Sequence, residues 1–167
     1  GLGQVGIYLL NELNLKKKDI EIKTEKKINI VAVSAKNINK KRQFKFDKKN
    51  FFKNPLEIFK KKKVDILFEA IGQSDGVSKK IVETALKNKT HVITPNKALI
   101  SKHGNNLSKL AEKNNVNLEF EASVAGGIPI LRSIKEGLAT NKISKVYGIL
   151  NGTSNYILTE MENSNLN

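Results

Sequence analysis

Apolar residues recur along this chain at two spacings, and the alternation between them lays out the expected elements. Val5, Leu9, Leu10 and Leu13 follow helical spacing, which predicts an amphipathic helix over residues 4–15. The lysine run 16–18 is expected to end it, because cations sit favourably beside the negative end of a helix dipole. Residues 28–34 (INIVAVS) are a short β-branched run of the kind that fits a parallel strand covered on both faces. Residues 37–49 are polar and basic and read as loop; Asn54-Pro55 marks a helix start, with Asn as cap and Pro at the first helical position. A second strand is expected over 64–70 (VDILFEA), closed by a turn from Gly72 to Gly76. Val77, Ile81, Val82, Ala85 and Leu86 predict the next helix, and 91–94 (HVIT) a third strand ended by Pro95, which cannot donate to a ladder. A helix over 97–113 and a strand over 116–122 (VNLEFEA) complete the pattern.

Strands alternating with helices of this length imply β-α-β crossovers and an α/β fold with a doubly wound, mainly parallel sheet. From Ser123 the character changes. A glycine-rich bend (VAGGIPI) leads to a helix through Ile130, Leu131, Ile134 and Leu138, a polar turn at 140–141 and an apolar strand over 146–150. After NGTSN a last helix begins near Thr153. A domain boundary is expected near Ala122, with one domain over 1–122 and the beginning of another over 123–167. The length suits one domain with a sizeable core, since single domains commonly run to about 100–150 residues. Gly1 already lies in a turn that a strand normally precedes, and the helix from Thr153 runs into a polar tail with no closing element. Both ends are therefore expected to be cut.

Composition refines this picture only modestly. No apolar run approaches the roughly 20 residues that span a bilayer, so no membrane role is expected. The absence of cysteine excludes disulfides, thiolate nucleophiles and cysteine metal sites, and a cytoplasmic location is expected. A formal charge of +14 raises the question of a nucleic-acid partner. All but Arg42 and Arg132 of the basic residues are lysine, however, scattered through LKKK, KKIN, NKKR and FKKKK without interleaved aromatics. Nucleic-acid surfaces favour Arg for bidentate contacts and aromatics for stacking. Compositional drift towards Lys and Asn accounts better for the charge, and no nucleic-acid partner is expected.

Several segments carry candidate chemistry. GLGQVG places Gly1, Gly3 and Gly6 at G-x-G-x-x-G spacing ahead of an amphipathic helix, where a dinucleotide pyrophosphate would sit at the positive helix end. A glycine turn without ligand is the alternative, and the β-α-β pattern behind it favours nucleotide. Where an acid would hold the ribose of NAD, the chain has Ser34, Ala35, Lys36 and Asn37, followed by Lys40, Lys41 and Arg42. Cations in place of the acid favour the extra phosphate of NADP, although lysine is abundant everywhere. Lys97 in TPNKAL follows a parallel strand and opens a helix, a position bordering the ligand crevice but equally open to a solvated lysine. Glu121 and the pair Gly126-Gly127 could present one carboxylate and several carbonyls to a hard cation, but a domain hinge with a helix-starting Pro129 explains them as well or better. The turn 151–155 (NGTSN) suits a helix cap or a small polar substrate equally. His91 and His103 have no metal spacing or nucleophile partner and read as structural or solvated.

Taken together, GLGQVG, VAVSAKN, VITPNKALIS, FEASVAGGIPI and GILNGTSNYILTEM stand in the order and rough spacing found in homoserine dehydrogenases. Over essentially its whole length the chain resembles that family, and the last three motifs are much more specific than the glycine motif. The resemblance implies a Rossmann-type doubly wound parallel sheet binding NAD(P) over 1–122, then the start of an α+β catalytic and dimerisation domain over 123–167. It implies reversible NAD(P)-dependent interconversion of L-homoserine and L-aspartate 4-semialdehyde, on the route to threonine, isoleucine and methionine. Carried over by motif, Leu2, Gly3, Gln4 and Val5 would meet the cofactor pyrophosphate, with Ser34, Lys36 and Gly72 also on the cofactor. Lys97 matches the catalytic lysine near nicotinamide and substrate. Glu121, Val124, Gly126 and Ile128 match a loop that binds a monovalent cation such as sodium, mostly through carbonyl oxygens, and Gly152 and Thr153 match the turn bordering homoserine. The family's acidic cluster and second lysine lie further downstream than Asn167. The isolated chain is therefore expected to bind nucleotide without catalysis, and the full-length protein to be a homodimer or larger. Another amino-acid dehydrogenase on the same nucleotide fold is the rival, and NGTSNYIL after FEASVAGGIPI argues against it.

Overall fold

A computed structural model of the chain describes residues 1–42, 46–148 and 151–164. It divides into two compact units, Gly1–Gly127 and Ile128–Asn167.

In the first unit, α1 (Gln4–Leu15) starts directly behind the glycine turn, as its apolar spacing predicts. Its buried line is narrower than that spacing suggests: Gly6 and Leu10, one turn apart, are buried, whereas Val5 is 56% exposed. Leu10 packs with Leu2 and Val33, and Phe46 and Phe51 stack at the rim of this small core. The helix ends at the lysine run, as expected, with Lys16 as its C-cap, but helical structure resumes directly behind it. After a break at Lys16 the chain enters α2 (Lys17–Thr24) and stops at Glu25, which takes a left-handed conformation. Lys16 pairs with Glu12 at 2.9 Å and Lys17 with Glu21 at 3.7 Å, both at helical i,i+4 spacing. These lysines thus support helices on either side of the break.

The run 28–34 yields a strand only at its end: β1 (Val33–Ser34) pairs in parallel with β2 (Phe51–Phe52). Two residues are as many as the partner offers, and β2 itself is too short to carry any periodicity. Asn54 caps as predicted, its Oδ1 accepting from the Leu56 N–H at 3.1 Å, and a 3₁₀ turn, Pro55–Glu57, leads into α3 (Ile58–Lys61).

Three further strands, β3 (Ile66–Phe68), β4 (His91–Ile93) and β5 (Leu118–Glu119), form a parallel sheet in that order. They are joined by α4 (Val77–Lys87) and α5 (Lys97–Lys113), two successive β-α-β crossovers. The main core follows from their spacing. Ile81, Val82, Ala85 and Leu86 of α4 meet Leu99, Leu107 and Ala111 of α5 over Val92 and Leu118. Burying each large aliphatic side chain contributes roughly 1.5–3 kcal/mol. Residue 121 is not on a strand end, as the sequence suggested. The chain leaves β5 after Glu119, and α6 (Glu121–Val124) is a single helical turn.

In the second unit, α7 (Ile130–Arg132) widens into a π-type turn, Ser133–Gly137, in which the Leu138 N–H reaches the Ser133 carbonyl at 3.1 Å. α8 (Gly152–Asn163) is capped by Asn151, whose Oδ1 accepts from the Ser154 N–H at 3.0 Å. The strand expected over 146–150 is not formed at 146–148, and residues 149–150 lie outside the described residues. A strand takes its hydrogen bonds from a neighbour, and there is no strand in this unit among the described residues. Tyr147 is 87% exposed.

Candidate functional site

The carboxyl ends of β3 and β4 and the N-terminus of α1 define the region where a parallel α/β sheet takes its ligand. At that helix end, space is distributed unevenly among the glycines. A Cβ on Gly6 would stand 1.8 Å from the Gly1 carbonyl oxygen, so the helix can approach the turn this closely only without a side chain there. A Cβ on Gly3 would meet no protein atom within 4 Å. Gly3 is the N-cap of α1 and provides no side-chain cap, so the first-turn N–H groups of α1 face an open space suited to an anion. Leu2 is buried beneath this turn, whereas Gln4 and Val5 are exposed on it. The residues present thus fit a dinucleotide pyrophosphate.

Beside the turn, a Cβ on Gly1 would lie 3.1 Å from the Ala70 carbonyl oxygen, so the end of β3 abuts the glycine turn. The residue before Ala70 is Glu69, only 2% exposed. Its Oε1 accepts from the Ile71 N–H at 2.6 Å and the Ser78 hydroxyl at 2.9 Å, and its Oε2 accepts from the Thr94 hydroxyl at 2.6 Å. Asn96 joins the group, its Nδ2 donating to the Gln73 carbonyl at 2.9 Å and the Ser78 hydroxyl at 3.0 Å. Its Oδ1 caps α5 by accepting from the Leu99 N–H at 3.2 Å. Glu69 was not among the sequence candidates. The available signal was an acid at the far end of an apolar strand pattern, and a side chain of that kind is buried only when paired or hydrogen-bonded.

Lys97 is exposed as the first residue of α5, next to the buried Asn96. Gly72, in the loop after β3, has a φ of +85°, a left-handed conformation that favours glycine. The same loop is held to α5 by Asp75. Its carboxylate takes Lys102 Nζ at 2.7 Å, His103 Nε2 at 2.9 Å and the Ser74 hydroxyl at 2.8 Å. Lys102 first, then His103 and Ser74, hold the Asp75 carboxyl well below the usual carboxylate range. A depressed folded-state pKa contributes stability that is fully present above the unfolded value, about 3.9, and is lost as pH falls through the lower one. The melting-temperature difference between wild type and Asp75→Asn is therefore expected to be full just above pH 4 and to shrink steadily below it. A difference that stays constant down to pH 2 in thermal unfolding would remove this tie. His91 has a separate duty, its Nδ1 accepting from the Asn117 N–H at 3.0 Å at the start of the sheet.

At the end of β1, whose Val33 packs against Leu10 of α1, Ser34 is half-buried and Lys36 is exposed just beyond it. Arg42 is not a free cation. Its guanidinium donates to the carbonyls of Asn37 at 2.7 Å and Lys40 at 2.9 Å and folds the intervening loop on itself. Arg42 and Lys41, with Gln4, Ile7, Tyr8 and Asn11 of α1, line a cavity of about 420 Å³.

The remaining candidates fall in different units. Glu121, Val124 and Gly126 belong to the first, with Glu121 opening α6 and Gly126 at a φ of +63°. Ile128 belongs to the second, as do Gly152 and Thr153, the first two residues of α8. The capping role left open for the turn 151–155 is taken by Asn151. Among the described residues no group of three or more His, Cys, Asp or Glu side chains converges as a metal site.

The family model described as the NAD-binding domain of homoserine dehydrogenase matches residues 1–121, the stretch carrying the glycine turn, Glu69 and Lys97. The chain belongs to the homoserine dehydrogenase family. A second family model, described as homoserine dehydrogenase, matches residues 129–167. The homoserine dehydrogenase of Neisseria gonorrhoeae is 42% identical over 161 residues, covering 96% of this chain and 37% of that protein. That of Bacillus subtilis is 37% identical over the same shares. The crystal structure of a homoserine dehydrogenase from Thiobacillus denitrificans superposes with a TM-score of 0.82 at 35% identity, covering 98% of this chain and 37% of that one. A Staphylococcus aureus homoserine dehydrogenase at pH 8.5 gives 0.79 at 38% identity, covering 99% and 38%. The chain spans about 37% of the length of these curated relatives. Family membership brings with it the Rossmann NAD-binding fold read from the sequence, and with it an NAD(P) cofactor.

Proposed function

We propose that this chain supplies the dinucleotide site and the opening part of the catalytic region of a homoserine dehydrogenase. The reaction is the NAD(P)-dependent interconversion of L-homoserine and L-aspartate 4-semialdehyde, a step of threonine, isoleucine and methionine synthesis. The observation that carries this reading is the uncapped N-terminus of α1, with space above Gly3 and none above Gly6, inside the segment that matches the family's NAD-binding domain.

In this reading the backbone from Leu2 to Val5 receives the pyrophosphate at the positive end of α1. Ser34 and Lys36 border the adenosine ribose, and the cations around them favour NADP over NAD. Gly72 lets the loop after β3 pass close to the cofactor. The nicotinamide, when bound, supplies or accepts the hydride at the substrate's C4 carbon. The Lys97 ammonium gives its proton to the forming alkoxide oxygen in the reducing direction, and its neutral amine takes that proton back in the oxidising direction. Gly152 and Thr153 border the substrate. Glu121 and the backbone of Val124, Gly126 and Ile128 hold a monovalent cation such as sodium; oxygen donors of this kind suit a hard ion. Among the described residues no helix is long and apolar enough to cross a membrane. We place the enzyme in the cytoplasm as a homodimer or larger, acting on a small-molecule substrate, with no membrane or nucleic-acid partner.

The test is direct. The full-length protein is expected to oxidise NADPH on addition of L-aspartate 4-semialdehyde, and to reduce NADP with L-homoserine, followed at 340 nm. Absence of turnover with this substrate pair under both nicotinamide cofactors sinks the proposal.

A further inference from the structure

We propose that Glu69 is a positioning residue for the dinucleotide site, its buried carboxylate locking the loop after β3, the first turn of α4 and the β4–α5 crossover into one unit that presents Lys97 and Gly72 to the cofactor. The proposal rests on the dinucleotide reading above and goes beyond it, because Glu69 belongs neither to the glycine turn nor to the sequence candidates.

The hydrogen bonds around Glu69 have fixed directions. The Thr94 hydroxyl oxygen accepts from the Asn96 N–H at 3.1 Å, so its own hydrogen is left for Glu69 Oε2 at 2.6 Å. The Ser78 hydroxyl oxygen accepts from Asn96 Nδ2 at 3.0 Å, so its hydrogen is left for Glu69 Oε1 at 2.9 Å. The Ile71 N–H can only donate. The centre of the network must therefore be a group that accepts on both oxygens, which a carboxylate does and an amide does not. With Glu69 at 2%, Ser78 at 0%, Thr94 at 1% and Asn96 at 5% exposure, water has little access to replace a lost partner.

Each member sits at a place the cofactor would border. Ile71 and Gln73 flank Gly72, Ser78 lies in the first turn of α4, Asn96 immediately precedes Lys97, and Thr94 directly follows the strand leading to it. Ala70, next to Glu69, meets the glycine turn itself. One side chain thus links the three segments that surround the carboxyl end of the sheet.

The experiment uses full-length wild type, Glu69→Gln, Thr94→Val and Thr94→Ser, titrated with NADPH by its fluorescence and followed by amide hydrogen exchange. In Glu69→Gln one oxygen becomes a donor facing donors. It is expected to weaken NADPH binding by about tenfold or more, with residues 71–78 and 96–99 exchanging faster together and residues 17–24 unchanged. Thr94→Val should shift both readouts less and in the same direction, and Thr94→Ser, which keeps the hydroxyl, should restore them. A folded Glu69→Gln that binds NADPH as tightly as wild type overturns the proposal, as does loosening of one segment without the other. Should Glu69→Gln fail to fold, the Thr94 pair decides: equal NADPH affinity in Val and Ser variants overturns it. Wild type that binds no dinucleotide is a separate failure, of the underlying dinucleotide reading, and is read from the wild-type titration alone.

Discussion

Replacing Lys97 with alanine in the full-length protein is expected to lower kcat about 10²–10⁴-fold, the range that a positioned proton donor or acceptor contributes. Three observations converge on this residue. It opens α5 at the carboxyl end of a parallel strand, its side chain is exposed, and its neighbour Asn96 is anchored in the Glu69 network. The first turn of α5 contains no acidic residue to offset the charge. A cation at a helix N-terminus costs roughly 0.3–1 kcal/mol, so Lys97→Ala is expected to leave the melting temperature unchanged or slightly raised. Lost activity could then not be attributed to unfolding. Lys97→Arg sharpens the result, since a guanidinium keeps the charge but does not release its proton near neutral pH. It should remain nearly as slow as the alanine variant. Near-normal steady-state rates in Lys97→Ala would remove this residue from the mechanism.

The second large effect concerns the glycine turn, where two similar substitutions should fail for different reasons. In Gly6→Ala the new methyl group would stand 1.8 Å from a backbone oxygen, and no rotamer change can relieve a Cβ clash. The start of α1 must move off the turn, costing at least the roughly 1–3 kcal/mol typical of overpacking. Both the melting temperature and dinucleotide affinity should fall. In Gly3→Ala the methyl group meets no protein atom, so the fold should be retained at near wild-type stability. The space it occupies is where the pyrophosphate is placed, and affinity should drop about tenfold or more, equivalent to roughly 1.4 kcal/mol or more. Calorimetric titration with NADPH alongside thermal unfolding separates the two. If Gly3→Ala binds as wild type does, the pyrophosphate does not sit on this turn.

Much of this architecture was legible without coordinates. The helices α1, α4 and α5 emerge where apolar residues repeat at three and four, because that spacing gathers them on one face whatever the partner. The Asn54-Pro55 start and the glycine spacing were equally readable, since caps and tight turns are set by a few adjacent residues. The strand bounds were less so. The run 28–34 contributes two paired residues rather than seven, and 116–122 gives way to a helical turn at Glu121. A strand's length depends on what lies beside it, and that partner is distant in sequence. The same holds for β2, whose two phenylalanines acquire meaning only from Val33 and Ser34 alongside.

Local sequence therefore determined the alternation of helices and strands, the glycine turn and the motifs that place the chain in its family, because each depends on neighbours within one or two helical turns. Only the tertiary structure decided which polar residues are buried together. Glu69 collects partners 2, 9 and 25 residues away, and Asn96 reaches back 23 residues to the loop beside Gly72. It likewise made Arg42 a clasp on its own loop, through bonds to main-chain carbonyls that sequence does not display. The physical reason is common to both. Hydrogen bonds in a low-dielectric interior are fixed by three-dimensional proximity and by the cost of leaving a buried group unpaired, and neither quantity is written along the chain.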